Sequence, residues 1–237
     1  MNKYIVSFSG GIDSTAMLLR LIELNKPIDQ IIFADTTLEF PEMYEWVDFI
    51  ENYIGQEIIR TKPKKSFDEW FYGAYTRGKS KGERRGFPKV IIPCYWQREA
   101  KLLPLQEYTK NANFNYLGIT YDEQHRIQNE DKCPILLYPL IEWRWTHDDC
   151  KQYLKEKGLE HPLYKNGKFK RTGCWLCPKQ SLNSLESLYR YYPELWIKLK
   201  QYELDSPNGF RIDKTLNDIE KRIKYKDGFK FAKFIYV

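Results

Sequence analysis

Short apolar runs recur along the first part of the chain: Tyr4-Ile5-Val6, Gln30 to Ala34, Gln56 to Arg60, Asn115 to Ile119, and 135–141. Each is too short for a helix and too continuously apolar for a half-exposed strand, so each reads as a strand buried on both faces. Between them lie longer stretches with apolar residues at helical spacing: 16–22, 42–54, 94–108 and 147–157. Pro41 stands at one helix start, Thr146 with Asp148 and Asp149 at another, and Gly158 just past a helix end. These are the residues that helix termini favour. Strand–helix alternation predicts an α/β fold, a doubly wound parallel sheet of five strands with right-handed crossovers. From about 159 the strand-like runs stop and helical blocks follow at 181–191, 194–204 and 214–225. The pattern therefore divides the chain into an α/β domain, 1–158, and a mainly helical C-terminal unit, 159–237.

The junction between the first strand and first helix, Ser7-Phe8-Ser9-Gly10-Gly11-Ile12-Asp13-Ser14-Thr15, carries the sharpest chemistry. A Gly-Gly pair lets the backbone turn tightly with no Cβ in the way of a phosphate, and the helix N–H groups then face that phosphate. Ser9, Ser14 and Thr15 offer hydroxyl donors. The Walker A loop needs a Lys before its Ser/Thr, and Asp13 stands there instead. A carboxylate beside phosphates calls for a counter-charge, which makes Mg²⁺ the expected companion. Ligands on such sheets lie at the carboxyl ends of strands, where Asp35 and Thr36 also fall.

Net charge, +6 with 42% apolar residues and 18 Tyr, suits an anionic partner without naming one. The basic residues concentrate in 62–92, from Lys62 through Arg84, Arg85 and Lys89, among glycines and behind Trp70, Phe71, Tyr72 and Tyr75. That mixture predicts a mobile loop in which aromatics could stack on bases while cations meet phosphates, so tRNA or DNA enters as a partner class alongside a nucleotide. The alternative is a solvated loop. Neither a leader peptide nor a membrane-spanning run is visible, so the expectation is a cytoplasmic protein that uses no membrane. A homodimer is left open.

Five cysteines in such a setting point to thiols or ligands rather than disulfides. Cys174-x-x-Cys177 could chelate one metal or cluster. Cys133, before Pro134, is a candidate fourth ligand, and Cys150 sits in a helical pattern as a buried thiol. The three His are scattered and make weak ligand candidates.

The Ser9-Gly10-Gly11-Ile12-Asp13-Ser14 segment resembles the PP-loop signature of the ATP pyrophosphatase and adenine nucleotide alpha-hydrolase superfamily. Asp35-Thr36-Thr37-Leu38-Glu39-Phe40-Pro41 resembles the D-T-G-x-E-F-P stretch of its phosphoadenosine phosphosulfate (PAPS) reductase-like branch. Further matches are Cys94 opening a helix with Lys101 seven residues on, Gly118 with Glu123 and Arg126, and the Gly173-Cys174-x-x-Cys177 segment. Together they cover residues 3 to about 180. The resemblance implies a PP-loop, Rossmann-like fold of the HUP type. It implies that Ser7, Ser9, Gly10, Gly11, Asp13, Ser14 and Thr15 hold the phosphate chain of ATP, that Asp35, Thr36 and Gly118 contact the nucleotide, and that Lys101 and Arg126 approach the phosphates. It also implies Cys94 as a third ligand with Cys174 and Cys177, around a [4Fe-4S] cluster or Zn²⁺. The assimilatory reductases carry a further Cys near the C-terminus, and this sequence has none after 177. With the intact loop, that favours cleavage of ATP between the α and β phosphates, adenylating an acceptor for sulfur transfer to a nucleic acid or nucleotide. A sulfonucleotide (PAPS or APS) reductase and a non-catalytic nucleotide-binding subunit are the alternatives.

Overall fold

The computed structural model describes residues 2–88, 94–127 and 135–235. Its elements, in chain order, are β1 (Tyr4–Phe8), α1 (Ile12–Glu23), β2 (Gln30–Ala34), α2 (Pro41–Ile54), β3 (Ile58–Thr61), α3 (Phe67–Tyr72), α4 (Tyr95–Gln97), a π-helical turn (Arg98–Leu102) and α5 (Leu103–Thr109). Then follow β4 (Phe114–Leu117), a 3-10 turn (Tyr121–Arg126), β5 (Ile135–Leu137), α6 (Pro139–Glu142), α7 (His147–Glu156), a second 3-10 turn (Pro162–Gly167), α8 (Leu182–Tyr191), α9 (Pro193–Asp205) and α10 (Leu216–Ile235). The five strands form one parallel sheet in the order β3-β2-β1-β4-β5, with helices on both sides and a helical C-terminal region.

Each strand comes from one of the five apolar runs, but their ends move. The run 135–141 splits: Pro139 lacks an N–H for the ladder and instead occupies the first turn of α6. The helix from Cys94 is not uniform either. Pro104 cannot donate to the Ala100 carbonyl, and the preceding turn, 98–102, widens to π geometry. Thr146 caps α7 with a full capping box to Asp149, and α3 begins with another, Ser66 to Glu69.

Two compact units emerge. The first comprises Met1–Lys64, Gln97–Gly167 and Arg171–Gly173; the second comprises Lys65–Trp96, Lys168–Lys170 and Cys174–Val237. A division at 158/159 follows chain order, whereas the compact units interleave, and residues 65–96 belong with the C-terminal helices. In the first unit Ile5, Ile32 and Ala112 form a buried cluster, with Ile59, Leu105 and Tyr108 packed on it. In the second unit an aromatic cluster joins buried aliphatic residues such as Leu185, Leu188, Leu199 and Leu216: Phe67 meets Trp96 edge-on at 5.2 Å, Phe71 meets Phe87 at 5.2 Å, and Phe87 meets Phe210 at 5.0 Å between ring centroids.

That cluster corrects the sequence reading of 62–92. Trp70 and Phe71 are core residues, not stacking platforms. Arg84 lies over the Tyr72 ring at 4.8 Å and Arg85 over Trp70 at 5.6 Å, so two of the basic residues are held by their own aromatics. The bridges Ala74–Arg84 and Tyr75–Lys81 give the segment local order. Lys89 lies outside the described residues.

Candidate nucleotide site

β1 and β4 are neighbours, while the chain leaves β1 toward β2 on the other side. Their carboxyl ends are therefore the switch point of the sheet, where the crossover directions diverge and a crevice opens. The Ser9–Gly11 turn lies at one of these ends and Gly118 at the other. Gly10 has φ +74, and a Cβ there would stand 2.5 Å from Met43 Sδ. Gly11, with φ −77, is the N-cap of α1 and supplies no side-chain cap. The first amides of α1 are therefore left for an external acceptor, as at anion-binding helix termini.

The hydroxyls of the loop divide into two groups. Ser14 Oγ donates to the Gly11 carbonyl at 3.1 Å, accepts from the Ser9 N–H at 3.2 Å and lies 2.9 Å from Ser9 Oγ. Ser7 Oγ donates to Asn115 Oδ1 at 2.9 Å, tying β1 to β4. Thr15 is held inside the turn. It is fully buried, donates to the Gly11 carbonyl at 2.8 Å and accepts from Trp46 Nε1 at 3.4 Å. Its hydroxyl is engaged within the turn and with α2.

Asp13 stands in the first turn of α1, with Oδ1 2.7 Å from His147 Nδ1. Burial raises its pKa above the ordinary carboxylate value and outweighs His147, which works the other way; Asp122 and Glu123 push it further up. This is a carboxylate short of positive charge, the condition a Mg²⁺ carried in by phosphates would relieve, since Mg²⁺ uses few protein ligands. Sequence reading missed His147. Its only signal was its position as the first residue after the Thr146 cap.

Asp35 accepts the Thr37 N–H at 2.7 Å and the Tyr44 hydroxyl at 2.9 Å. Thr36 Oγ1 donates to Glu39 Oε1 at 2.8 Å, and Lys101 Nζ reaches the same Glu39 oxygen at 3.4 Å. Glu39 is thus a second buried carboxylate that the sequence reading passed over. Thr37 has φ +61, where a β-branched residue is strained by about 1–3 kcal/mol. The D-T-G-x-E-F-P stretch has Gly at this position. Thr37→Gly should stabilise the protein by up to about 1 kcal/mol, the relief being partly offset by the chain entropy of Gly; urea unfolding measures it.

Gly118 follows β4, and a Cβ on it would stand 3.0 Å from Ser14 Cα and 3.1 Å from Ser14 N. Arg126 is 55% exposed and paired with Glu123 at 2.6 Å. Of the residues singled out in sequence, Ser7, Ser9, Gly10, Gly11, Asp13, Ser14 and Gly118 are thereby assembled at the switch point.

The cysteines form a different picture. Cys174 and Cys177 are in one turn, with the Cys177 N–H donating to the Cys174 carbonyl at 3.1 Å. Cys94 belongs to the same compact unit as this turn, not to the unit that holds the sheet. Cys150 is fully buried in α7, and burial raises its thiol pKa far above the ordinary value. Cys133 lies outside the described residues. Among the described residues no group of three or more His, Cys, Asp and Glu that could hold a metal ion is found. A cavity of about 310 Å³ opens near Asp29, Gln30 and Glu57, at the amino ends of β2 and β3, the end of a parallel sheet opposite to its ligand crevice. No described helix is long and apolar enough to cross a membrane.

Residues 3–180 match the family model of the phosphoadenosine phosphosulfate reductase domain. Two uncharacterized proteins of Methanocaldococcus jannaschii are 30% and 29% identical over 82% and 86% of this chain. The chain spans only 40% and 49% of their lengths. A phosphoadenosine 5'-phosphosulfate reductase of Buchnera aphidicola is 28% identical over 69% of this chain and 66% of its own. Among solved structures, the PAPS reductase of Candida auris in its phosphate complex shares the fold, with a TM-score of 0.50 at 22% identity over 72% of this chain and 81% of that one.

Proposed function

Because the chain belongs to the phosphoadenosine phosphosulfate reductase domain family, we propose that it binds an adenine nucleotide on the Ser7–Thr15 loop and breaks the anhydride beside the α-phosphate. The names of its relatives favour a sulfonucleotide, PAPS or APS, as substrate. The observation that carries the reading is the uncapped start of α1 at the switch point, closed on one side by Gly118. The α1 amides and Ser9 would hold the terminal anionic group, and Ser14 would keep the turn rigid. Lys101, standing on Glu39, would place a cation near the bond that breaks.

One observation favours a second reading. Asp13 lies inside the loop with its pKa raised, an arrangement suited to ATP arriving with Mg²⁺. Bound Mg²⁺ would supply counter-charge to the β- and γ-phosphates; Asp13 would hold it, and His147 would keep the carboxylate oriented. The outcome would be adenylation with pyrophosphate release, a redox-neutral step, whereas reductive release of sulfite from a sulfonucleotide takes two electrons from a donor. Transfer of sulfur to a nucleic acid would follow from adenylation.

Titration calorimetry with PAPS, APS, and ATP with and without Mg²⁺ separates them. We expect a sulfonucleotide to bind at least about tenfold more tightly than Mg·ATP, a difference of roughly 1.4 kcal/mol. The reverse order selects the adenylation reading, and failure to bind any of the three sinks both.

A further inference from the structure

We propose that residues 74–86 form a basic tongue that grips the phosphates of an unpaired nucleic-acid strand, with a base of that strand received beside Tyr72. None of the residues involved is part of the nucleotide loop; all belong to the second compact unit.

The segment from Ala74 to Gly86 carries five cations, Arg77, Lys79, Lys81, Arg84 and Arg85, against one carboxylate, Glu83. That is a net charge of +4 in thirteen residues of a chain whose total is +6. In a freely solvated loop these charges would move apart, but here the backbone fixes them. Ala74 bridges Arg84 and Tyr75 bridges Lys81. The Tyr75 N–H donates to the Glu83 carbonyl and the Gly82 N–H to the Tyr75 carbonyl, both at 2.9 Å. Gly78 and Gly82 turn the chain at φ +78 and +90, where a side chain would be strained. Arg85 pins the base of the tongue: its Nη1 donates to the Trp70 carbonyl at 3.1 Å, and its guanidinium lies 5.6 Å from the Trp70 ring and 6.0 Å from the Tyr75 ring. The other four cations are exposed. Among the described residues Arg77, Lys79 and Lys81 have no carboxylate partner. Holding like charges together costs free energy, which a polyanion offsets as it binds and releases its counterions.

The place for a base stands next to the tongue. Tyr72 is 40% exposed, with Arg84 over its ring at 4.8 Å. Its hydroxyl donates to Asp205 at 2.7 Å, which holds the ring in place. Beside it a depression of about 170 Å³ is lined by Tyr72, Tyr202, Lys198, Gln201 and Asp68. Asp68 accepts the Tyr202 hydroxyl, so both carboxylates on this side are engaged by tyrosines. Lys198 lies over the Tyr202 ring at 5.8 Å. Aromatic walls rimmed by a guanidinium and an ammonium suit a splayed base and the phosphate next to it. A duplex keeps its bases stacked inside, so the arrangement selects a single strand.

Fluorescence anisotropy of the full chain with short labelled RNA and DNA strands of mixed sequence, each alone and annealed to its complement, tests this. We expect a single strand to bind at least about tenfold more tightly than its duplex. Its log affinity should fall against log salt with a slope of about −3, roughly 0.7 for each of four cations. Arg77→Glu/Lys79→Glu/Lys81→Glu should weaken binding at least about thirtyfold and bring the slope to about −1. The triple Gln variant, which removes charge without adding repulsion, should lose about tenfold and carries the test if the Glu variant does not fold. Arg84→Lys keeps the charge but loses the planar stack, so it should bind about fivefold more weakly with the slope unchanged. A preference for RNA or for DNA supports the proposal and identifies the sugar. It is overturned if neither single strand binds, if the tip variants or Arg84→Lys bind like the parent, if duplexes bind equally well, or if polyglutamate displaces the label as well as an unlabelled strand does.

Discussion

Gly118→Val is expected to abolish nucleotide binding, lowering affinity more than about a hundredfold. The added Cβ would lie 3.0 Å from Ser14 Cα and 3.1 Å from Ser14 N. These are backbone atoms of the first turn of α1, so relief requires moving the loop itself. Overpacking of this kind typically costs about 1–3 kcal/mol of stability, which calorimetric unfolding would register as a drop of some 2–10 °C for a chain of this size. The binding loss should exceed the stability loss, because the displaced atoms are those that would face the phosphate. Gly118→Ala, which shares the Cβ but adds nothing further, should fall between parent and Val in both measurements. A Val variant that binds nucleotide normally would remove Gly118 from the site.

Asp13→Asn should separate stability from binding. Burial raises the Asp13 pKa despite His147, so the folded state holds this proton more tightly than the unfolded chain does. The sign follows from linkage: relative to neutral pH, the folded state is favoured below the unfolded value of about 3.9, and that advantage is lost as pH rises through the folded pKa. Asn is neutral throughout and can still hydrogen-bond to His147. The variant should therefore be more stable than the parent at pH 7–8, by on the order of 1 kcal/mol or about 2–4 °C, with the difference vanishing below about pH 3.9. Mg²⁺-dependent binding of ATP should weaken at least about tenfold, while binding without Mg²⁺ should tighten, because a negative charge has left the vicinity of the phosphates. Thermal unfolding across pH 3–8 and calorimetry with and without Mg²⁺ test the two halves separately. Equal stability at every pH would show that the Asp13 charge is not a burden on the fold.

Much of the α/β unit was legible from local pattern. The central strands β1 and β2 are largely buried and so appear as apolar runs, and the edge strand β5, with Ile135 exposed, keeps an apolar run as well, so all five were found. The Thr146 cap announced α7, and the Gly10-Gly11 pair between strand and helix announced the turn, because both are constraints of a few consecutive residues. The loop residues were named for the same reason. Strand ends were less legible. Whether Pro139 continued a strand or opened a helix depended on Tyr138, whose φ −122 and ψ 70 turn the chain.

By itself, then, the sequence determined the parallel sheet, its loop, and membership of a family that residues 3–180 establish. Tertiary structure decided what distant segments bring to that loop. His147 meets Asp13 across 134 positions and Gly118 backs Ser14, neither of which has a local sequence period. It also decided which aromatics of 62–92 were free to stack. Trp70 and Phe71 occupy the helical positions that face Trp96 and Tyr202, and only packing against those residues withdraws them from solvent. The cysteines show the same division: spacing placed Cys174 and Cys177 in one turn, while the grouping of Cys94 with them in the second unit came from contacts between segments about 80 residues apart in sequence, which no local pattern encodes.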